Sequence, residues 1–410
     1  MEIKEPVRIL MYSHDTYGLG HIRRSLAIAQ SVTSIPANVL IVTGSPLVGR
    51  FVIPEGIDFV RVPGMIKITN EEYTPLSMKL PSSHVLSIRE NIILATAKSF
   101  HPHFFIVDKA PLGLKKEVQP TLEWIRSEYP DCTTVLGLRD IMDSSEETIR
   151  EWREKNIYEA MESLYDEIWI YGVREFYDPV KEYQIPPSVA KKLYFTGYIP
   201  RYVPSYREIE RVKESVLVRR ASGSRSKAHL PIVLVTAGGG GDGYPIFDTF
   251  LRAFEKDSSE SARFSAVLVT GPFLSAKTFK DIKRRASRLG WKTIRFYRFM
   301  EALIAASSFV VSMGGYNTIC EIFTLKKPAL IVPRCVPREE QLIRAKVLCE
   351  HGFCDYIPPE SFSPEVLKEK ILSFLNHNPI NSAKFDTFPF TAFQLIQDRI
   401  RHHLIEKELL

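Results

Sequence analysis

The amino-acid sequence predicts an α/β protein of two domains, each built around a parallel sheet. The chain has 410 residues, which is more than the roughly 100–200 residues usual for one domain. In both halves, short apolar runs of strand length alternate with longer segments of helical periodicity. This alternation is typical of βαβ units. The composition, 45% hydrophobic and 25% charged, indicates a globular chain and excludes a mainly disordered one.

The first half contains six apolar runs with the length of strands and four helical segments between them. The predicted strands are 7–13, 39–43, 59–62, 104–107, 134–138 and 168–171, and the predicted helices are 21–31, 83–98, 115–128 and 146–164. The same order of strand, turn and helix restarts at Pro231. There the predicted strands are 232–236, 265–270, 293–296, 309–312 and 329–332, and the helices are 246–254, 276–289, 300–306, 316–325 and 339–350.

Composition places the boundaries between the domains. The segment 201–230 is rich in Arg, Glu, Ser and Lys, and its stretch 221–229 reads ASGSRSKAH. We predict a linker and exposed loop there, because such a sequence has few groups to bury. The N-terminal domain is then 1–200 and the C-terminal domain 231–388. The tail 389–410 is predicted to be a helix that packs back on the N-terminal domain.

Charge and cysteine content narrow the function classes. Lys and Arg number 54 against 48 Asp and Glu, a net charge of +6. This mild excess suits an anionic small molecule or a membrane surface and falls short of a nucleic-acid-binding face. The N-terminus has early acidic residues and no apolar core of a signal peptide. Five cysteines without a CxxC pair indicate reduced thiols and no zinc site, so we predict a cytoplasmic protein with no metal.

The first glycine turn reads HDTYGLGHIRR and joins a predicted strand to a helix. Gly18 and Gly20 lie at the turn, where the free N–H groups of a helix N-terminus favour an anion. His21 stands at the same point, and an imidazole there is a candidate base for an attacking hydroxyl. The alternative is that His21 only caps the turn by hydrogen bonding.

Two further groups belong to this turn. Asp15 is the second candidate for the base, and it is equally placed in sequence to orient His21. Arg23 and Arg24 follow on the helix, and we interpret them as solvated side chains.

The second turn reads VTAGGGGDGYP and follows a predicted strand. Gly238, Gly239, Gly240 and Gly241 let the backbone approach a ligand closely and adopt positive φ. The turn has neither the Lys and Ser/Thr of a P-loop nor the complete fingerprint of a dinucleotide site. We interpret it as a nest of N–H groups for phosphate.

The third motif is GGYNTICE. Gly314 and Gly315 open a helix on which Asn317, Thr318 and Glu321 share one face. A carboxylate at this position is suited to accept hydrogen bonds from both hydroxyls of a ribose. The alternative is a surface glutamate that the helix dipole favours.

Polar residues near later strand and helix ends complete the candidate set. Glu340 and Gln341 begin the last of these helices and are candidates for sugar hydroxyls, or else ordinary polar residues of a helix start. Asp108, Arg139 and Asp140 follow predicted strands. Residues at such strand ends line the ligand crevice of open α/β sheets. Contact with an acceptor and capping of helices are both open for these three residues.

The ordered motifs from about 232 to 353 resemble the C-terminal domain of the MurG-like glycosyltransferases, glycosyltransferase family 28. They are the glycine-rich loop, then RFYRFM, GGYNTICE, PALIVP and EEQLIRA. The first half resembles the family through GLGH and the helix LAIA. The resemblance implies a GT-B fold, with two Rossmann-like domains whose parallel sheets face a central cleft.

The resemblance also implies roles for single residues. The glycine loop would face the donor diphosphate, and the stretch with Tyr297 and Met300 would border the nucleobase. Glu321 would hold the ribose, and Glu340 with Gln341 the donor sugar. Glu340 departs from the Gln-Gln pair frequent in the transferase, so the resemblance does not imply N-acetylglucosamine as the sugar.

The first turn shows a second departure. The family usually has GGxGGH, and Thr16, Tyr17 and Leu19 differ from it. The same turn is similar to that of nucleotide-sugar hydrolases in which this histidine activates water.

The function implied is transfer of a hexosyl group from a nucleotide diphosphate sugar, a UDP-sugar by resemblance, to a hydroxyl acceptor. The reaction would be metal-independent and inverting, and no cofactor is expected. Two alternatives remain: a nucleotide-sugar hydrolase that uses His21, and a non-catalytic nucleotide-sugar binding protein. Lipid-linked, polysaccharide and small-molecule acceptors all remain open. So does peripheral contact with the inner face of the membrane, which the positive charge allows.

Overall fold

The computed structural model describes residues 5–14, 20–67, 72–216, 230–377 and 380–408. The chain divides into two compact units. The first unit comprises Met1–Pro200 and Pro389–Leu410, and the second unit comprises Arg201–Phe388. The stretch 221–229, which we expected to be an exposed loop, lies outside the described residues.

The first unit is built on a parallel sheet of seven strands in the order β3-β2-β1-β6-β7-β8-β9. Its strands are β1 (Val7–Ser13), β2 (Ala37–Thr43), β3 (Ile57–Arg61), β6 (Phe104–Asp108), β7 (Thr133–Arg139), β8 (Glu167–Tyr171) and β9 (Leu193–Phe195). Two short antiparallel strands, β4 (Met65–Lys67) and β5 (Tyr73–Pro75), pair separately. The helices are α1 (Gly20–Val32), α2 (Ser82–Phe100), α3 (Gln119–Glu128), α4 (Ser145–Glu154), α5 (Ile157–Leu164), α6 (Pro179–Glu182) and α7 (Pro187–Ala190).

The second unit is built on a parallel sheet of six strands in the order β12-β11-β10-β13-β14-β15. Its strands are β10 (Ile232–Thr236), β11 (Ser265–Val269), β12 (Lys292–Ile294), β13 (Phe309–Ser312), β14 (Ala329–Ile331) and β15 (Asp355–Tyr356). The helices are α8 (Tyr206–Val216), α9 (Tyr244–Phe254), α10 (Ser258–Ser261), α11 (Ala276–Arg288), α12 (Met300–Ala306), α13 (Tyr316–Thr324), α14 (Glu340–Glu350) and α15 (Pro364–Asn376).

The central strands are buried along their whole length, which confirms the prediction of two parallel sheets. Every residue of β6, β8, β10 and β13 is buried. A strand in a parallel sheet is covered on both faces, so its sequence is a continuous apolar run and does not alternate.

The strand order places a crevice in each unit. In the first unit β1 lies between β2 and β6, and in the second β10 lies between β11 and β13. The chain therefore leaves the two central strands of each sheet in opposite directions. At such a switch point the loops after the carboxyl ends of the strands diverge and open a ligand crevice.

Two predicted helices differ from the structure for local reasons. The segment 146–164 forms two helices because Asn156 adopts a left-handed conformation with φ of 52°, which asparagine tolerates well. The helix expected at 115–128 begins at Gln119. Pro120 fits only the first turn of a helix. The short strands β9 and β15 have too few residues to give an apolar run.

The expectation of an exposed linker at 201–230 is wrong for Tyr206–Val216, which form α8. Val212 and Val216 are buried on this helix, which packs against α12. The charged residues that suggested a loop lie on the remaining face of an amphipathic helix.

The C-terminal helix α16 (Ala392–Glu406) belongs to the first unit. Its buried residues recur at helical spacing; they are Ala392, Ile396, Ile400 and Leu404. Gln397 donates a hydrogen bond of 2.8 Å to the carbonyl of Ser31 at the end of α1. Among the described residues, no helix combines the length and the apolar character needed to cross a membrane.

The buried carboxylate of Glu167 fixes α16 to the sheet. It accepts hydrogen bonds from Arg399, from His403 at 2.7 Å and from the indole of Trp169 at 2.7 Å. Burial raises the pKa of Glu167, but the hydrogen bonds from His403, Arg399 and Trp169 outweigh it and lower the pKa to about 2.

We expect Glu167→Gln to loosen α16. The amide keeps the size of the side chain but leaves Arg399 without its charge partner, so unfolding of the first unit should become easier by about 1.5 to 3 kcal/mol. Urea unfolding and proteolysis of the tail measure this. Asp398→Asn is the control, because its pair with Arg401 is half-exposed and should contribute little. Equal effects of the two variants would contradict the assignment.

Candidate functional site

The crevice of the first unit brings together three side chains from α1 and β6. Helix α1 begins at Gly20, so His21 and Arg24 lie in its first turns. Asp108 is the last residue of β6, the strand next to β1 at the switch point. The three residues meet where the sheet order places the crevice.

Asp108 is enclosed by two cationic or protonatable groups. Nδ1 of His21 lies 2.5 Å from Oδ2 of Asp108. Arg24 donates from Nε to Oδ1 at 2.8 Å and from Nη2 to both carboxylate oxygens at 2.6 and 2.8 Å. Because the guanidinium holds Asp108 ionised, the carboxylate accepts a hydrogen bond from Nδ1–H of His21. The lone pair of the imidazole is then on Nε2.

Burial and the neighbouring charges set the charge states of His21 and Asp108. Burial lowers the pKa of His21 to about 4, since the charge of Asp108 and its hydrogen bond raise the pKa less than burial lowers it. For Asp108, burial raises the pKa, but Arg24 and His21 hold it well below its usual range. At neutral pH the site therefore contains a neutral imidazole, which is able to accept a proton, beside a carboxylate that stabilises the resulting cation.

The structure changes two sequence-based interpretations. Arg24 is only 2% exposed, so the interpretation of Arg24 as solvated is wrong. Asp108 binds His21 and Arg24, whereas we expected it to face an acceptor or to cap a helix. Asp15 and Gly18 lie outside the described residues, so their predicted roles stay predictions.

The other acceptor-side candidates lie at the end of β7 and after it. Asp140 is 2% exposed. It accepts hydrogen bonds from the backbone N–H of Ile141 at 2.7 Å and from the hydroxyl of Tyr198 at 3.0 Å. Neither contact caps a helix, and the acceptor-side role of Asp140 stays a prediction. Arg139 ends β7 and is half-buried.

The glycine turn of the second unit follows β10. Gly238 and Gly240 have φ values of 62° and 83°. A Cβ on Gly240 would lie 1.9 Å from the carbonyl oxygen of Thr270, and the carbonyl of Gly239 accepts from the N–H of Phe273 at 3.1 Å. Packing against the loop after β11 thus requires part of the glycine run. Gly238 and Gly241 are exposed and remain suited to a ligand.

The turn after β13 adjoins the turn after β10 in space. Gly314 has a φ of 75° and packs against Ile331, while Gly315 has open space at its Cβ position. Helix α13 begins at the next residue. The hydroxyl oxygen of Thr318 lies 4.0 Å from the Cβ position of Gly238. The N-terminus of α13 and the turn after β10 therefore form one site.

Glu321 is the acidic residue of this site. It is 2% exposed, so the alternative of a surface glutamate is wrong. The guanidinium of Arg201 donates to the side-chain oxygen of Asn317, and its backbone N–H donates to the hydroxyl of Thr324 at 3.1 Å. Arg201 thus fixes the helix that carries Glu321. Sequence reasoning missed Arg201 because the residue lies in a segment interpreted as a linker.

Arg334 connects the glycine turn to the start of α14. Its guanidinium donates to Asp242 at 2.7 Å and to Glu340 at 3.2 Å. Its backbone N–H donates to the side-chain oxygen of Gln341 at 3.2 Å. Glu340 and Gln341 are buried and face this arginine. The position of Arg334 just after β14, at the carboxyl edge of a parallel sheet, was the pattern that could have identified it.

Tyr297 and Met300 stand at the start of α12. The hydroxyl of Tyr297 lies 3.3 Å from that of Ser215, and its ring meets that of Phe299 at a centroid distance of 6.3 Å. Met300 begins α12. Both residues are half-buried, as a wall for a flat ligand would require.

A model of a known protein family matches the second half of the chain. Residues 232–399 match the Glycosyltransferase family 28 C-terminal domain. This match covers the glycine turn, α13 and the start of α14.

Two curated relatives share the name UDP-N-acetylglucosamine--N-acetylmuramyl-(pentapeptide) pyrophosphoryl-undecaprenol N-acetylglucosamine transferase. The protein of Lachnospira eligens is 37% identical over 70 residues, 17% of this chain and 20% of the relative. That of Streptococcus pneumoniae (strain Hungary19A-6) is 26% identical over 157 residues, 38% of this chain and 41% of the relative. The matches thus span less than half the length of these relatives.

Solved structures show the same fold over almost the whole chain. A glycosyltransferase from Rickettsia africae superposes with a TM-score of 0.62 at 12% identity and covers 97% of this chain and 98% of its own. MurG of Acinetobacter baumannii gives a TM-score of 0.58 at 12% identity, covering 97% of this chain and 100% of its own. The chain therefore has the GT-B fold of these proteins.

We expect His21 to titrate near pH 4. An unfolded histidine titrates near 6.5, so the unfolded chain binds more protons than the folded one between these values. Stability contributed by neutral His21 is thus present above about pH 6.5 and is lost as the pH falls toward 4. NMR titration of the imidazole measures the pKa. Asp108→Asn should lower the midpoint further, because it removes the charge that favours the imidazolium; a rise would contradict this cause.

We expect Gly240→Ala to destabilise the second unit by about 2 kcal/mol or more, because alanine is strained at positive φ and its methyl group would overlap the carbonyl of Thr270. Chemical unfolding followed by the fluorescence of Trp291 measures the change. Gly315→Ala is the matched control, since nothing lies within 4 Å of its Cβ position. Equal stability of the two variants would contradict the packing reason for Gly240.

Proposed function

We propose that this chain, whose residues 232–399 match the glycosyltransferase family 28 C-terminal domain, transfers a glycosyl group from a nucleotide diphosphate sugar to a hydroxyl acceptor. The observation that carries the proposal is the buried carboxylate of Glu321 on α13, behind two glycine turns at the switch point of the second sheet. This arrangement suits a diphosphate followed by a ribose.

The second unit would bind the donor. The N–H groups of the turn at Gly238 and of the N-terminus of α13 offer positive potential to the diphosphate. Glu321 would accept hydrogen bonds from the ribose hydroxyls. As the bond between sugar and diphosphate breaks, charge grows on the leaving oxygen, and the same N–H groups stabilise it more strongly than in the ground state. We therefore propose that these residues carry the stabilisation without a metal ion.

The first unit would supply the base. The acceptor hydroxyl attacks the anomeric carbon while Nε2 of His21 takes its proton. The nucleoside diphosphate leaves with the electron pair of the broken bond, and a single displacement inverts the anomeric centre. Asp108 stabilises the imidazolium at 2.5 Å, and Arg24 keeps that carboxylate charged. Such a base contributes about 10²–10⁴-fold to the rate.

The names of the relatives favour a UDP-sugar as the donor and allow a lipid-linked acceptor. The pair of Glu340 and Gln341 would hold sugar hydroxyls, with Arg334 fixing both side chains. Lipid-linked, polysaccharide and small-molecule acceptors, a peripheral membrane contact and the cytoplasmic location stay predictions.

Hydrolysis is the second candidate function. The pair of His21 and Asp108 activates water by the same chemistry as it activates a hydroxyl group. Release of nucleoside diphosphate in the absence of any acceptor distinguishes hydrolysis from transfer.

We expect His21→Asn to abolish turnover and leave donor binding intact. The measurement is release of nucleoside diphosphate from UDP-, GDP-, dTDP- and ADP-sugars, with and without a mixture of hydroxyl acceptors. Turnover should fall by about 10²-fold or more. His402→Asn, at a half-exposed position on α16, is the control. An active His21→Asn variant would show that another group is the base.

We expect Glu321→Gln to weaken binding of the donor by about 10-fold or more, because hydrogen bonds to a charged carboxylate contribute about 1.5 to 3 kcal/mol. Calorimetric titration with the donor found in the release assay measures the affinity. Glu350→Gln, at the far end of α14, is the control. Unchanged affinity of Glu321→Gln would remove the ribose from this helix.

A further inference from the structure

A hydrogen-bonded network of buried polar side chains lies beside His21, and the proposed transfer does not use it. Arg89 on α2 donates to both oxygens of Glu117, from Nε at 2.6 Å and from Nη2 at 2.5 Å. Tyr12 on β1 donates its hydroxyl proton to Glu117 at 2.7 Å. The oxygen of Tyr12 also lies 3.2 Å from Nδ1 of His14. This hydrogen-bonded network thus ends at a second histidine.

The protons of this network have one consistent arrangement. A guanidinium only donates, so Glu117 is an ionised acceptor. Tyr12 has a single proton, which goes to that carboxylate. Its oxygen must then accept, and it does accept from the backbone N–H of Leu114 at 3.1 Å. The remaining contact, to Nδ1 of His14, is a hydrogen bond only if Nδ1 carries the proton. The neutral ring then has its lone pair on Nε2.

His14 packs directly on the candidate base. It is 9% exposed, and its ring meets that of His21 at a centroid distance of 5.6 Å and an interplanar angle of 80°. An edge-to-face contact restricts how far the ring of His21 is able to rotate. Asp108 fixes His21 through Nδ1.

We propose that His14 is a positioning residue for His21, held by Tyr12, Glu117 and Arg89 in the tautomer that carries its proton on Nδ1. The inference rests on the proposed function for its catalytic meaning, but the tautomer is decided by the hydrogen bonds alone. His14 is not assigned to contact substrate.

The electrostatics of the pocket agree with a neutral His14. Burial lowers its pKa well below the usual value, and His21, Lys109 and Arg89 lower it further, while Asp108 raises it. Among the residues that the structure describes, these groups come from α1, α2 and the end of β6. A neutral His14 places no positive charge against His21 when that residue takes a proton from the acceptor.

The burial of Arg89 and Glu117 also favours a role in positioning His14 over a role in stabilising the fold. Both residues are at most 1% exposed. A buried ion pair stabilises a fold little compared with apolar side chains of the same volume, because both charges lose their hydration. Its directed hydrogen bonds nevertheless fix one geometry, and through Tyr12 they fix the orientation of His14.

The test uses the full-length protein labelled with ¹⁵N in its histidines. NMR spectra that correlate the ring nitrogens with the carbon-bound protons distinguish the two tautomers, and His14→Asn identifies the signals of His14. We expect wild type to show the proton on Nδ1, Tyr12→Phe to show a mixture of tautomers, and Tyr165→Phe to show no change. Tyr165 is the matched control, because its hydroxyl is also buried but donates to the carbonyl of Pro111.

Turnover of the donor found in the release assay supplies the second measurement. Tyr12→Phe should lower kcat by about 10-fold and leave KM for the donor unchanged, because a small misplacement of the base slows the chemical step. Tyr165→Phe should keep kcat within about twofold of wild type, a difference too small to reflect a misplaced base.

Each outcome decides the proposal. A proton on Nε2 of His14 in wild type, or equal spectra of wild type and Tyr12→Phe, overturns it. So does an equal loss of kcat in the two phenylalanine variants, which would indicate general destabilisation. If wild type turns over none of the nucleotide sugars, the proposed function fails, while the spectra still decide the tautomer.

Discussion

The reversal of direction at the centre of each parallel sheet is the constraint on which the rest of the structure depends. Strands β1 and β10 have neighbours reached by connections that leave on opposite sides. At such a point of an open α/β sheet, the loops after the carboxyl ends of the strands diverge and leave a crevice. Both candidate sites form at these crevices, although they use different residues.

In each unit an arginine near the candidate site binds carboxylates. In the first unit Arg24 encloses Asp108, and in the second Arg334 connects Asp242 with Glu340. These pairs hold side chains that would otherwise repel one another or lose their charge on burial. The first pair gives His21 a fixed orientation, and the second fixes the residues at the start of α14. In the proposed reaction the first pair would serve proton removal, and the second would hold the residues that contact the donor sugar.

The glycine-rich turn after β10 has a packing role that the structure shows and a proposed ligand-binding role, which the sequence alone does not separate. Gly240 is required by the close approach of the carbonyl of Thr270, whereas Gly238 is exposed. Positive φ occurs at both residues. The neighbouring loop therefore requires glycine at Gly240 for packing, whereas Gly238 stays accessible for the proposed ligand contact.

The sequence by itself determined the two parallel sheets, the glycine turns after β10 and β13, and the helices that carry His21, Glu321 and Glu340, because apolar runs and glycine turns are local patterns. Tertiary structure alone decided the partners of these residues. Asp108 is 87 residues from His21, and Tyr12 is 105 residues from Glu117, so no local spacing connects them. Burial also lies outside the sequence pattern: Arg24 has the neighbours of a solvated arginine but is enclosed by a carboxylate, and Tyr206–Val216 have the composition of a linker but form a helix. In each case the charge or polarity of the residue was visible, but the opposite group that made its burial favourable came from a distant segment.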